Sequence, residues 1–190
     1  MHGLQRRAMI VGGVGAVLCF IGAVLNPAQF YYAYLLAFVF WLGITLGSLG
    51  LLMIQHLSGG AWGFVIRRQL EAATRLLPLM AVLFVPLLLG MRALYPWARP
   101  DVVAADVILQ NKHVYLNVPF FVARAGIYFA AWLALAWYLN RWSLEQDETG
   151  EEPAGRRMRA ISAGGLVLYV LTMTLASVDW LMSLEPHWFS

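Results

Sequence analysis

The sequence predicts an all-α integral membrane protein with five transmembrane helices. Of its 190 residues, 61% are hydrophobic and only 12% are charged, whereas charged residues make up about a quarter of a soluble domain. Lipid offers no partner for an unpaired backbone amide, so a chain crosses it as helices of about 20 apolar residues. Five segments fit that requirement: residues 8–25, 31–54, 76–91, 117–140 and 160–183.

The first span follows a basic pair, Arg6 and Arg7. A secretory signal has the same order of features, but its apolar region is about 7–15 residues long, which is shorter than residues 8–25. The segment is therefore interpreted as a retained helix. The short connection at residues 26–30 predicts a tight turn and an antiparallel second helix.

The second span contains a GxxxG step, Gly43 and Gly47. Small residues at this spacing let two membrane helices approach closely. The step therefore predicts a packing face on this helix.

The segment before the third span, residues 61–77, is predicted to be an interfacial amphipathic helix on the cytoplasmic surface. Arg68, Glu71 and Arg75 share one helical face, and Glu71 and Arg75 have the favourable i, i+4 order. The apolar residues of the segment lie elsewhere on the helix.

The connection between the fourth and fifth spans, residues 144–155, is acidic and contains glycine and proline. Such a composition cannot bury apolar surface and predicts a flexible cytoplasmic loop. Residues 1–30 then contain a cytoplasmic N-terminus, the first span and an outer turn, and residues 31–190 contain the other four spans. The family resemblance described below implies that these are a leading helix and a four-helix bundle.

The distribution of basic residues predicts the orientation, since Lys and Arg in short loops favour the cytoplasmic side. With the N-terminus in the cytoplasm, nine basic residues beside the spans lie inside and three lie outside. These residues border the spans and form no patch, which disfavours nucleic-acid binding. The nine are Arg6, Arg7, Arg67, Arg68, Arg75, Arg141, Arg156, Arg157 and Arg159, and the three are Arg92, Arg99 and Lys112.

Two charged residues interrupt the last two spans, Arg124 and Asp179. At about 1.5 Å per residue both lie roughly 6–8 Å below the outer interface, so each is a candidate partner of the other. Tyr128 shares the helical face of Arg124, and Thr172 shares that of Asp179. The group is either a structural ion pair or a polar route in which Asp179 exchanges a proton.

Histidine and cysteine positions disfavour a cofactor bound by this chain alone. The interiors of the five spans contain no histidine, which a haem-b bundle would need as an axial ligand. His56 lies at the inner end of the second span and His187 at the outer end of the fifth. Their simplest interpretation is as interfacial residues. The single cysteine, Cys19, excludes an intrachain disulfide and any CxxC site.

Two segments, residues 56–90 and 176–190, together resemble the ActF membrane subunits of bacterial alternative complex III, which belong to the NrfD or polysulfide-reductase membrane-subunit family. Members of that family have a leading helix followed by two four-helix bundles related by pseudo-symmetry. The chain resembles the leading helix and the first bundle, the N-terminal half of that pattern.

The resemblance implies a membrane subunit of a quinol:electron-acceptor oxidoreductase in the bacterial inner membrane. Iron–sulfur clusters and c-type haems would then belong to partner subunits. Those partners would be an iron–sulfur subunit, multihaem cytochrome c subunits and an ActC-like membrane subunit, with a haem–copper oxidase as a further partner. The matching positions for quinol and proton chemistry are Asp179 and His187 at the outer end and His56 at the inner end.

The residues also fit quinol oxidation without the family, because a carboxylate can accept a proton and a histidine can hydrogen-bond a quinol oxygen. Two other functions remain open. One is a proton- or ion-conducting module that uses Asp179 and Arg124 without a quinone site. The other is a purely structural membrane anchor for redox subunits.

Overall fold

A computed structural model describes residues 2–63, 65–149 and 152–187, and helix is the regular secondary structure throughout these ranges. Short 3-10 turns at Ala61–Gly63, Pro96–Ala98 and Met182–Leu184 connect or end the helices. The helices are α1 (His2–Leu25), α2 (Pro27–Ser58), α3 (Arg67–Thr74), α4 (Leu77–Leu89), α5 (Met91–Leu94), α6 (Pro100–Ala105), α7 (Val107–Lys112), α8 (Val118–Thr149) and α9 (Glu152–Trp180).

Within the described ranges, five helical segments are long and apolar enough to cross a membrane, as predicted. The third begins earlier than residue 76, because α3 runs almost directly into α4 and adds its length to the span. The segments are Gln5–Leu25, Pro27–Ser58, Arg67–Leu89, Val118–Glu148 and Pro153–Leu184.

Helices α2, α4, α8 and α9 pack around an aromatic centre. The Trp180 ring stands 4.7 Å from that of Phe84 and 5.8 Å from that of Phe129, and offset or edge contacts of this kind add to the stabilisation from burial. Helix α1 lies outside this bundle, since no residue of its apolar stretch is buried.

The junction between α1 and α2 is shorter than the predicted turn at residues 26–30. Asn26 is the N-cap of α2, and its side-chain oxygen accepts a hydrogen bond from the backbone N–H of Gln29 at 3.3 Å. Pro27 occupies the first helical position, where its missing N–H has no partner to lose. A capping asparagine followed by proline therefore starts the helix at once.

The predicted flexible loop at residues 144–155 is helical wherever the structure describes it. Helix α8 continues to Thr149 and α9 begins at Glu152. The sequence-based interpretation treated the acidic residues as solvated, but two of them pair with cations. Asp147 pairs with Arg68, and Glu145 pairs with Arg157 at 3.5 Å. Ionic partners from α3 and α9 thus extend both helices.

The predicted interfacial amphipathic helix is also corrected. Among its described residues, Arg67–Thr74 form α3 and Leu77 begins α4. Helix α3 turns its acidic residue inwards: Glu71 is 2% exposed, whereas the apolar Val65 before it is 77% exposed. Glu71 pairs with Arg67 and Arg68 rather than with Arg75. Glu71 can be buried because these two arginines neutralise its charge, whereas Arg68 and Arg75 of the same face remain exposed.

Among the residues that the structure describes, the GxxxG step of α2 does not mark a close helix contact. A methyl group placed on Gly43 or Gly47 would meet no atom within 4 Å. The close approach occurs elsewhere, where a methyl group on Gly165 would lie 2.7 Å from the Leu135 side chain. The spacing indicates a smooth helix surface, and only the packing shows which glycine a neighbour uses.

Candidate functional site

Arg124 and Asp179 form a bidentate ion pair across the α8–α9 interface. Arg124 Nε and Nη2 donate to Asp179 Oδ2 and Oδ1, each at 2.8 Å. The two side chains are 8% and 1% exposed. Arg124 lies near the start of α8 and Asp179 near the end of α9, so antiparallel packing brings the predicted partners to one level.

Further contacts complete the hydrogen bonding of this pair. The Tyr128 hydroxyl donates to Asp179 Oδ2 at 2.8 Å, and Arg124 Nη1 donates to the Tyr115 carbonyl at 3.0 Å. The guanidinium carbon lies 3.8 Å from the centre of the Tyr115 ring and 4.3 Å from that of Phe120. We call Arg124, Tyr128 and Asp179 the Asp179 cluster. It is charge-balanced and buried, with both ions satisfied.

Tyr115 and Ser183 lie beside the Asp179 cluster. Tyr115 precedes α8, and burial raises the pKa of its hydroxyl, which the nearby Asp179 carboxylate raises further. The Ser183 hydroxyl donates to the Asp179 carbonyl. A groove of about 400 Å³ adjoins the cluster, and its walls include Tyr115, Val178 and Ser183. A small polar molecule entering this groove comes close to the backbone around Asp179.

Thr172 lies in the same interface but has other partners. Its hydroxyl accepts a hydrogen bond from Trp132 Nε1 at 2.9 Å and donates to the Leu168 carbonyl at 2.7 Å. Tyr128 and Trp132 stack with ring centroids 6.2 Å apart. Thr172 is therefore linked to the Asp179 cluster through the Trp132 and Tyr128 rings, and its hydroxyl holds the Trp132 ring in place.

His187 lies near the Asp179 end of the bundle but is bound elsewhere. Its Nε2 is 2.5 Å from Asp106 Oδ2. Asp106 also caps α7, where its Oδ1 accepts from the Ile108 N–H at 2.8 Å. The adjacent Pro186 carbonyl accepts from Lys112 Nζ at 2.6 Å. These contacts fasten the segment after α9 to α7. The His187 side chain is half-exposed and follows Pro186, which lines the groove.

His56 lies at the opposite end of the bundle, in the last turn of α2. Its Nε2 is buried and has no hydrogen-bond partner among the described residues. Arg67 and Glu71 are its charged neighbours. The structure therefore does not bring His56 together with Asp179 and His187. This separation agrees with the resemblance, which places His56 at the opposite end of the bundle from these two residues.

Sequence reasoning missed a second charged group around Glu71. Its carboxylate accepts from Arg67 Nε at 2.9 Å, from Arg68 Nη1 at 2.6 Å and from the Ser143 hydroxyl at 2.5 Å. Arg67 also donates to Ser143 at 2.7 Å and to Gln146 at 3.2 Å. We call Arg67, Arg68, Glu71 and Ser143 the Glu71 cluster. The i, i+4 and i, i+3 spacing of the two arginines before Glu71 was the available signal.

Within the described ranges, no group of three or more His, Cys, Asp or Glu side chains is arranged to hold a metal ion. No protein-family model matches the chain, and no curated protein matches it either.

Proposed function

We propose that the chain is a membrane subunit of a quinol-oxidising complex of the alternative complex III type, placed in a bacterial inner membrane with its N-terminus in the cytoplasm. The five apolar helical segments, the basic residues beside them and the resemblance of residues 56–90 and 176–190 support this proposal. The chain would anchor iron–sulfur and multihaem partners and pack against an ActC-like membrane subunit.

The observation that carries the proposal is the buried Asp179 cluster beside a groove at one end of the bundle. Oxidation of a quinol to a quinone releases two protons and two electrons. In our proposal the electrons pass to the cofactors of partner subunits, and this chain handles protons. Arg124 pairs with the Asp179 carboxylate, and in our proposal this carboxylate accepts a proton and releases it again.

In this proposal the buried Tyr128 relays that proton. Its hydroxyl already donates to Asp179 Oδ2. When the Tyr128 oxygen receives a proton from the substrate side, its own proton can move to the carboxylate, so the tyrosine ends neutral. His187, next to the groove residue Pro186, would hydrogen-bond a quinol oxygen or pass the proton to Asp106.

A structural role is the second candidate, and one observation favours it. The Asp179 carboxylate already accepts three hydrogen bonds from Arg124 and Tyr128. A fully satisfied buried pair can lock α8 against α9 without titrating. In that case the chain is a purely structural membrane anchor.

Turnover per assembled complex separates these roles. Asp179→Asn keeps size and hydrogen bonding but removes the titratable group. A proton-transfer role predicts that it lowers quinol oxidation while assembly stays normal, and that Tyr128→Phe lowers turnover as well. A structural role predicts less assembled complex, normal turnover in what remains, and recovery of assembly in the Arg124→Gln/Asp179→Asn double variant. Asp101→Asn, an exposed carboxylate on α6, is the matched control.

Cysteine labelling tests the proposed orientation. After Cys19, which is exposed, is replaced by serine, a cysteine at position 104 should react only from the outside. A cysteine at position 150 should react only from the cytoplasm. The reverse pattern would contradict the orientation and move the Asp179 cluster to the cytoplasmic side.

A further inference from the structure

A second groove, of about 860 Å³, lies at the other end of the bundle between α8 and the junction of α3 with α4. It is separate from the Asp179 cluster. One wall is a single face of α8, because Leu133, Trp137, Arg141, Glu145 and Glu148 follow one another at steps of four, four, four and three residues. The other wall includes Arg75 and Pro78.

The side chains that line this groove change from apolar to cationic to anionic along α8. The part towards the middle of α8 is apolar, with Leu133 and the ring of Trp137. Arg141 comes next, with its guanidinium carbon 5.2 Å from the centre of the Trp137 ring. Arg75 stands across from it and donates to Asn140 Oδ1 at 3.2 Å. These two cations lie where the apolar part of the groove ends.

Carboxylates follow the cations towards the end of α8. Glu145 lies one helical turn beyond Arg141, about 6 Å along the helix axis, and Glu148 about one turn further. Glu145 also pairs with Arg157 at 3.5 Å, whereas the Glu148 side chain is exposed on the groove wall. The groove thus runs from apolar to cationic to anionic.

We propose that this groove binds phosphatidylethanolamine, a phospholipid whose parts have the same order. Its acyl chains would lie along Leu133 and Trp137, its phosphate between Arg75 and Arg141, and its ammonium group against Glu148. An anionic lipid that lacks the ammonium group leaves the carboxylate without a partner. Phosphatidylcholine carries a cation there, but its quaternary nitrogen has no N–H to donate to a carboxylate.

This inference depends on the membrane placement in the proposed function but not on quinol oxidation. Arg75 and Arg141 lie where the predicted inner interface begins, which is where a phosphate group lies in a bilayer. The site is therefore a lipid site of the inner leaflet in the proposed orientation.

Native mass spectrometry of the chain, purified with its partners and stripped of lipid, tests the proposal. Phosphatidylethanolamine, phosphatidylcholine and phosphatidylglycerol with identical acyl chains are added in equal amounts, and the bound lipids are counted. We expect phosphatidylethanolamine to be retained in preference to both others. Equal retention of the three, or preference for phosphatidylglycerol, would overturn the proposal.

Variants assign the preference to the groove. Glu148→Gln should lower the ratio of phosphatidylethanolamine to phosphatidylcholine by up to about fivefold, the effect of one partly exposed ion pair. Arg141→Gln should lower the binding of both lipids. Asp101→Asn and Arg156→Gln change exposed charges outside the groove and should leave the ratio unaltered.

The variants affect exposed side chains, so folding should survive in each. An unchanged ratio in Glu148→Gln would show that the preference comes from another surface and would overturn the assignment. Lipid retention requires no quinol and no electron acceptor. A failure of the lipid proposal therefore leaves the turnover experiment on Asp179 unaffected, and the reverse also holds.

Discussion

The two ends of the bundle each bury a carboxylate, but they neutralise it differently. At one end Asp179 has a single cation, Arg124, and both side chains are almost completely buried. At the other end Glu71 has two, Arg67 and Arg68, and Arg68 is 49% exposed. Arg124 and Ser143, one from each cluster, are 19 residues apart on α8, or about 28 Å.

This difference shows how the same residue types can make a rigid or an adaptable contact. Removing one partner of a sealed pair leaves a charge that cannot reach water, which costs several kcal/mol. In the Glu71 cluster Arg67 also donates to Ser143 and Gln146, and Arg68 also pairs with the exposed Asp147. The two arginines therefore keep partners when Glu71 is changed. We therefore expect the Asp179 end to be the less tolerant of the two.

The largest expected effect is that of Arg124→Gln. It leaves the Asp179 carboxylate buried with only the Tyr128 hydroxyl from its cluster, so stability should fall by about 3–5 kcal/mol. Thermal unfolding and the yield of assembled complex measure this loss. A loss below about 1 kcal/mol would mean that the carboxylate reaches water or another cation.

Glu71→Gln should have a smaller effect, about 1–3 kcal/mol. The substitution removes the carboxylate charge, but Arg67 keeps Ser143 and Gln146, and Arg68 keeps Asp147. Unfolding measured beside Arg124→Gln under the same conditions gives the comparison directly. A loss equal to or larger than that of Arg124→Gln would remove the distinction between the two ends.

Ser143→Ala should cost less again, about 1 kcal/mol, because Glu71 retains both arginines when the hydroxyl is removed. Thr172→Val is the matched change near the other cluster, since it leaves Trp132 Nε1 buried without its acceptor. We expect Thr172→Val to be the more destabilising of the two. Equal losses of stability in a parallel unfolding experiment would argue against the Asp179 end being the less tolerant of substitution.

The smallest effect near neutral pH concerns Tyr95, which lies after the third apolar segment and donates to the Trp180 carbonyl at 3.0 Å. Burial raises the pKa of its hydroxyl above the ordinary value of 10.0, and the Asp179 charge raises it further. The folded state therefore holds the neutral hydroxyl. Its contribution to stability is fully present below pH 10.0 and is lost as the pH rises towards the folded-state pKa.

Tyr95→Phe tests this dependence. The unfolding temperature of the unaltered chain should fall as the pH rises above about 10, and the fall should be shallower in Tyr95→Phe. Tyr138→Phe, towards the Glu71 end of α8, is the control and should retain the full fall. Identical profiles for the unaltered chain and Tyr95→Phe would mean that this hydroxyl does not contribute.

Much of the Asp179 cluster could be predicted because depth along a helix follows from counting residues. Arg124 and Asp179 stand at matching distances from the ends of neighbouring antiparallel spans, and their pairing followed from that. The partners of Thr172 and His187 could not be predicted. Thr172 pairs with Trp132, and His187 with Asp106, since helix rotation and the path of the connecting segments decide which polar groups meet.

The Glu71 end was mispredicted for one physical reason. Charged residues in α3 and in residues 144–155 were assigned to water, the usual solvent for charges outside a bilayer. In the structure they meet each other instead: Arg68 pairs with Asp147, and Arg67 bridges Glu71, Ser143 and Gln146. These contacts join α3 to α8, so no local pattern in either helix reveals that ionic partners replace water.

The sequence by itself determined the helical class, the five apolar segments and the need for Arg124 and Asp179 to find partners, because helix length, hydropathy and the cost of burying a charge are properties of each segment alone. The tertiary structure decided the rest. It turned Glu71 inwards, continued α8 and α9 through the expected loop wherever the residues are described, and made the tight helix contact at Gly165 instead of at Gly43 or Gly47. These outcomes depend on which surfaces of distant segments meet, and packing alone supplies that information.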